Sequence, residues 1–340
     1  MSSSKTVIVG TVGNGIWRSQ DAGKTFSGVR GIIDFDLIVR GFGVDPHQPG
    51  HVVAGVKPGE VKASLFESFD SGASWAPVAG CPEPEVWRVS FDPALPGRYF
   101  AGTRPAGLYR TDDGGGSFKR LDATLASECP DVRIPRVTSI VVHPDDHNVV
   151  FATIEVDGVR RSLDGGASWH QIMDGITTPP QNAQVFGQRG LFDCHFSAIS
   201  TGDPARYIVS TPDGLYASDD LGDTWAELPV PQVFPRQYHR ELAVGLDDPG
   251  IVLQGVGDAV NGQDGALLRS TDRGASWNRV QLPAECNSPV WCFGQHPSDP
   301  GWVLTATHKG MVFSSPDGGA TWSKLRREFS EIRGICWLPG

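Results

Sequence analysis

Ser315-Pro316-Asp317-Gly318-Gly319-Ala320-Thr321-Trp322 is the clearest copy of an eight-residue stretch that decides how this chain folds. In general form it reads Ser/Thr-x-Asp-x-Gly-x-Ser/Thr-Trp/Phe. It occurs seven times, the other copies beginning at Ser19, Ser68, Thr111, Ser162, Ser218 and Ser270. The acidic residues of the set are Asp21, Asp70, Asp113, Asp164, Asp220, Asp272 and Asp317. The terminal aromatics are Phe26, Trp75, Phe118, Trp169, Trp225, Trp277 and Trp322.

Each copy follows a short apolar run, such as Gly107-Leu108-Tyr109-Arg110 or Gly214-Leu215-Tyr216-Ala217, and precedes another, such as Trp322-Ser323-Lys324-Leu325. Two strand-like runs separated by Asp, Gly and Ser/Thr are a hairpin signal. The carboxylate can accept bonds from backbone N–H groups of its own turn, and the glycine admits a positive φ at little steric cost. The hydroxyls can satisfy further turn groups, and the aromatic ring packs on the adjoining strands. Burying a ring of that size contributes about 2–3 kcal/mol by area. The stretch is therefore a self-satisfied pinned turn, and its aspartates read as structural rather than as calcium ligands.

The aspartates recur at intervals of 43 to 56 residues, and a period near 40–50 with several strands per unit marks propeller blades. The stretches resemble the Asp-box, or BNR, repeats of sialidases, sortilin-type receptors and photosystem II stability factors, and the resemblance covers nearly the whole chain. It implies an all-β, seven-bladed β-propeller of four-stranded blades. That repeat is shared by enzymes, receptors and assembly factors, so the resemblance selects no single activity.

Residues 5–28 supply only three strands, and the missing inner strand is expected at the other end, Glu331-Ile332-Arg333-Gly334-Ile335-Cys336-Trp337. Joining it to the N-terminal three, over 330–337, removes the open edge of a sheet array. The remaining blades are expected near 37–78, 86–121, 136–172, 193–228, 238–280 and 289–325, making 1–340 one propeller domain. Two connectors are enlarged, residues 173–194 and Gly255–Gly265. Both belong to the rim opposite the Asp turns, and a long connector in a compact domain is often functional.

The chain of 340 residues contains 42 Gly and 26 Pro, which suits many short strands and turns. No apolar run approaches a membrane span. The N-terminus enters the strand Thr6-Val7-Ile8-Val9-Gly10 directly, with no signal peptide in view, so a cytoplasmic location is expected. A formal net charge of −10 argues against nucleic-acid binding. The six cysteines lack metal-type spacing and read as reduced, structural thiols.

Inner strands start at the rim of the enlarged connectors and line the central channel. Their first residues form a polar list: Asp34, Asp36, Arg40, Glu85, Arg88, Arg136, Asp193, His195, His239, Arg240, Glu241 and Arg333, with Trp87, Tyr238 and Trp291 among them. Convergent polar groups in a concavity define the default ligand site. Arg40, Arg88, Arg136, Arg240 and Arg333 suit a carboxylate or phosphate, while Trp87, Trp291 and Tyr238 suit a sugar ring. His239, Glu241 and His195 are the candidate acid/base groups. The opposing reading has these side chains tie neighbouring blades together as ion-paired plugs.

The sialidase reading rests on Arg133-Ile134-Pro135, which resembles that family's Arg-Ile-Pro motif but lies mid-chain. Tyr238 and Glu241, three apart on a strand, are expected to face opposite sides. A divalent metal held by His195, His239 and Asp193 is an alternative. His47, His51, His143 and His147 read as turn residues, and Cys194, Cys292 and Cys336 as small packing groups with no adjacent base. Two functions follow. One is a propeller binding, and hydrolysing or eliminating, a small acidic or carbohydrate ligand in the funnel, glycoside-hydrolase-like or as a metal-dependent lyase or lactonase. The other is a non-catalytic propeller holding a protein partner on its loop rim.

Overall fold

A computed structural model describes residues 4–31, 37–59, 62–129, 132–173, 176 and 193–340. It is an all-β, seven-bladed propeller: seven four-stranded antiparallel sheets and no helix among the described residues. Blade 1 is completed by the C-terminal strand Ile332–Pro339, which pairs with Lys5–Thr11 in the order expected from the sequence. The inner strands of blades 2 to 7 are Ile38–Val44, Glu85–Phe91, Val137–His143, Phe196–Ser200, Tyr238–Val244 and Val290–Gly294. Each inner strand touches the next, and Ile332–Pro339 touches both Val290–Gly294 and Ile38–Val44, so the ring is closed.

The turns have the chemistry anticipated for them. In the first, the Ser19 hydroxyl donates to Asp21 Oδ1 at 2.7 Å and accepts from Gly23 N. Thr25 donates to the same carboxylate through both its N–H and its hydroxyl, at 2.9 and 2.6 Å. The last turn repeats this around Asp317, and the Trp322 indole adds a bond to Gly319 O. The sequence pattern asks for one positive φ per turn, at the glycine; the structure has two in succession. Leu221 stands at 59° and Gly222 at 95°, Arg273 at 59° and Gly274 at 89°. A carboxylate with both oxygens engaged by its own turn holds residues in a conformation disfavoured for side chains larger than glycine.

The first of the two left-handed residues has a consequence between blades. It turns its carbonyl toward the preceding blade, where an arginine meets it. Arg18 donates to Ser71 O, Arg110 to Gly165 O, Arg161 to Leu221 O, Arg206 to Arg273 O and Arg269 to Gly318 O, at 2.6–3.1 Å. Each accepting residue directly follows the turn aspartate. Between the sheets lie apolar clusters that each draw on adjacent blades, such as Val7, Val9, Trp291, Leu304 and Trp337.

Trp337, 1% exposed, sits where the terminal strands meet, edge-on to Trp302. Trp337→Ala should lower unfolding free energy by about 3–5 kcal/mol in urea titrations. The turn carboxylates make a second prediction. Hydroxyl bonds, led by Thr25 on Asp21, Ser168 on Asp164, Thr224 on Asp220 and Ser276 on Asp272, hold these groups at about 2. The folded value lies below the unfolded one of about 3.9, so this stabilisation is complete above that pH and lost as pH falls toward 2. The melting temperature should drop across that window, and simultaneous Asp→Asn changes at several turns should flatten the drop.

Candidate functional site

Six of the seven innermost strand pairings break register near the rim opposite the Asp turns. The shifts fall between Val39 and Gly41, Val86 and Arg88, Val137 and Ser139, His239 and Leu242, Val290 and Cys292, and Gly10 and Thr11, the last placing Arg333 in the irregularity. A bulge re-aims side chains and breaks the two-residue alternation. Arg40, Trp87, Arg240, Trp291 and Arg333 occupy the bulges, and they meet around the channel mouth. The residues that follow, Gly41, Arg88, Glu241, Cys292 and Gly334, line a cavity of about 140 Å³ one layer deeper.

At the mouth, two indoles are each flanked by two guanidinium groups. Arg40 and Arg136 lie 4.2 and 4.1 Å from the Trp87 ring. Arg240 and Arg333 lie 3.7 and 4.8 Å from that of Trp291. Carboxylates stand beside three of these arginines. Arg40 donates to Glu85 at 2.5 Å, Arg136 lies 2.6 Å from Glu155, and Arg333 pairs with Glu331. Arg240 differs: among the described residues no acidic side chain is bonded to it, its Nη1 reaches only the Tyr238 hydroxyl, and its Nε is buried without a partner.

The four guanidinium groups feel one another. Burial, opposed by Glu155, and repulsion from Arg240 and Arg333 push Arg136 down to about 10. Burial, with repulsion from Arg240 and Arg40, also lowers Arg333. The carboxylates diverge. Burial lifts Glu155 above the usual range even beside Arg136. Burial acts the same way on Asp193, but His195, with Arg240 and Arg136, outweighs it and holds Asp193 low. His195 Nδ1 bonds the carbonyl of His239 at 2.6 Å, which fixes it as the donor nitrogen. Its Nε2 is then left facing Asp193 at 3.3 Å and the Tyr238 hydroxyl at 3.4 Å.

Several expectations are corrected by this geometry. His239 does not enter the mouth. Its Nε2 contacts Gln237, its N–H bonds Pro212 O of the adjacent blade, and burial with nearby His195 lowers it to about 3, so it is neutral over ordinary pH. Glu241 is spoken for by Arg88, from three blades away, in an ion pair that bars the channel below the mouth. Tyr238 and Glu241 both face the channel, at different depths, because the bulge lies between them. The indole faces offered to a sugar are covered by guanidinium groups, and Trp87, Trp291 and Arg240 are 7%, 3% and 5% exposed. Among the described residues no three His, Cys, Asp or Glu side chains are placed to hold a metal ion, so His195, His239 and Asp193 form no such set.

Asp34, Asp36 and nearly all of the 173–194 connector lie outside the described residues. The Gly255–Gly265 connector caps itself, Asp258 Oδ1 accepting from Asp264 N at 3.1 Å. His47 bonds Asp92 O across blades, and His51 is buried on Asp45. Cys194 and Cys292 are raised by burial and stay as thiols. Glu155, Glu331 and His308, which stacks on Trp291 at 4.2 Å, went unnominated. Glu155 and His308 sit in second-to-third-strand turns on the rim already singled out, and that placement was the signal for them.

No family model matches the chain. Its sequence is similar to sortilin of Danio rerio, 24% identical over 78% of this chain and 30% of that protein. It is also similar to a xyloglucanase of Paenibacillus sp, 29% identical over 59% of this chain and 22% of the other. The chain thus spans about a fifth to a third of the length of the curated relatives it matches. Among solved structures, a GH74 xyloglucanase from Xanthomonas campestris superposes with a TM-score of 0.70 at 17% identity, over 99% of this chain and 52% of that one. YCF48 bound to D1 peptide superposes at 0.59 with 16% identity, over 97% and 94%. These structural likenesses bear on the fold.

The Arg88–Glu241 pair is a testable element of this architecture. Removing one partner of a buried ion pair strands the other charge and costs about 3–5 kcal/mol, whereas replacing both with apolar groups costs far less. Arg88→Met and Glu241→Leu should each destabilise in urea titrations, and the double variant should be more stable than either.

Proposed function

We propose that this propeller binds a small anionic ligand at the mouth of its central channel, with Arg240 as the principal anchor. One observation carries the reading: four guanidinium groups crowd one mouth, and among the described residues only three of them have carboxylate partners. Like charges are not gathered at such separations without compensation. Arg240 is buried on Trp291 with a free Nε, the arrangement in which an incoming carboxylate or phosphate gains a charge-assisted bond in a partly desolvated site. Arg136 and Arg333 supply further positive field, and Arg40 packs the opposite stack.

Binding is favoured over chemistry by the state of the nominated catalytic groups. His239 is neutral and turned away, and Glu241 is neutralised by Arg88. The sequence similarity to xyloglucanases supports a carbohydrate occupant. The likeness to YCF48 bound to D1 peptide supports a second reading, in which the same cations receive an acidic group of a protein partner. The barred channel favours entry from the mouth alone, so either occupant would present an end or a small group rather than thread through.

Thermal-shift measurements with succinate, citrate and D-glucuronate, against uncharged glucose, test this reading. Ligand at a hundred times its Kd stabilises by about 2.7 kcal/mol, which reads as a shift of a few degrees. At least one acid should produce it, added salt should weaken it, Arg240→Ala should abolish it, and Lys119→Ala on an exposed outer strand should not. Failure of every acid, or an unchanged response in Arg240→Ala, overturns the reading.

A further inference from the structure

The mouth has bare acceptors as well as bare donors, and they lie on two chains of contact. Arg136 touches both the Trp87 ring and Glu155. Asp193 contacts His195, His195 contacts the Tyr238 hydroxyl, and that hydroxyl contacts Arg240. Asp193 is close enough to raise the cost of ionising Glu155, and both carboxylates feel Arg240 and Arg136. Along these two chains four buried polar atoms have no partner among the described residues: the donors Arg240 Nε and Trp87 Nε1, and the acceptors Glu155 Oε2 and Asp193 Oδ1. In each carboxylate the other oxygen is held, by Arg136 in Glu155 and by His195 in Asp193.

A simple anion satisfies only half of this set. It answers the donors and leaves two carboxylate oxygens bare beside its own charge. Hydroxyl groups answer them, since a hydroxyl donates to a carboxylate oxygen without adding charge. An uncharged sugar fails in the opposite sense, leaving Arg240 without its counter-charge. Buried polar groups left unpaired are costly, so a ligand with both functions is selected over a ligand with either alone.

We infer that the occupant is a polyhydroxylated carboxylic acid, its carboxylate on Arg240 and Trp87 Nε1 and its hydroxyls donating to Glu155 Oε2 and Asp193 Oδ1. This deepens, and rests on, the anion-binding reading above. Glu155 and Asp193 are then specificity-determining residues rather than catalytic ones. They discriminate a sugar acid from a plain dicarboxylate that Arg240 would otherwise accept.

Isothermal titration calorimetry with D-glucuronate, succinate and glucose separates the possibilities. The expected result is glucuronate binding at least ten-fold tighter than either of the others. Trp87→Phe keeps the ring between Arg40 and Arg136 and removes only the donor. It should weaken glucuronate about five-fold or more. Glu155→Gln should weaken glucuronate by a similar factor and leave succinate unchanged or tightened. Circular dichroism and melting temperature check that both variants fold; should Glu155→Gln not fold, Asp193→Asn takes its place. Succinate binding as tightly as glucuronate, with both lost in Arg240→Ala, overturns this inference and leaves the anion site standing. No acid binding at all overturns both, and equal binding of glucose and glucuronate overturns the pairing of acid with hydroxyl.

Discussion

Everything in this molecule hangs from a carboxylate that accepts hydrogen bonds within its own turn. The turn aspartate takes a hydroxyl from in front and an N–H and a hydroxyl from behind. So held, it keeps two consecutive residues left-handed, four of which among the seven first positions carry side chains: Ala22, Ser71, Leu221 and Arg273. The strain has a use. The carbonyl of that residue is presented sideways to an arginine of the preceding blade, and the glycine after it lets the neighbour's apolar side chain come close. At Gly222 a Cβ would stand 2.3 Å from Ile172 of the preceding blade, and at Gly274 one would stand 2.8 Å from Leu228. One motif therefore closes a hairpin and spaces the blades around the ring.

With the outer face pinned in this way, the inner strands are free to be irregular at the other end. A bulge near the start of an inner strand puts two successive side chains toward the axis instead of one. The upper member of each pair builds the mouth of stacked indoles and guanidinium groups. The lower member builds the barred layer, where small residues such as Gly41, Gly334 and Cys292 leave room for Arg88 to reach Glu241. Below that, Phe42, Val89, Phe91 and Phe293 share the lining with Ser90, Gln295 and His296. Stacked cations crowd the mouth, an ion pair crosses the middle, and the far end has a mixed polar and aromatic lining.

The ion pairs at the mouth are half plug and half receptor, a mixture rather than either extreme weighed from the sequence. Arg40 with Glu85 and Arg333 with Glu331 knit adjacent structure together. Among the described residues Arg240 has no such partner, and Glu155 and Asp193 each keep one oxygen unengaged. A fully paired cluster would be inert scaffold; a cluster with leftover donors and acceptors has capacity for a ligand.

Local chemistry was legible in the residues themselves. The Ser/Thr-x-Asp-x-Gly-x-Ser/Thr-Trp/Phe turns, the strand runs around them, their count and the closure of Lys5–Thr11 by Ile332–Pro339 all follow from short-range hydrogen bonding and hydrophobic alternation. So did the identity of the polar rim, because inner strands must begin there. What could not be read was which side chains meet. His239 and Glu241 look alike on a strand of regular period, yet the register shift beside them sends one behind the sheet and the other across the channel. Glu155 lies in a turn whose partner, Arg136, is nineteen positions earlier. A bulge is a property of two paired strands and an ion pair across the axis a property of the closed ring, so only the tertiary structure decided them.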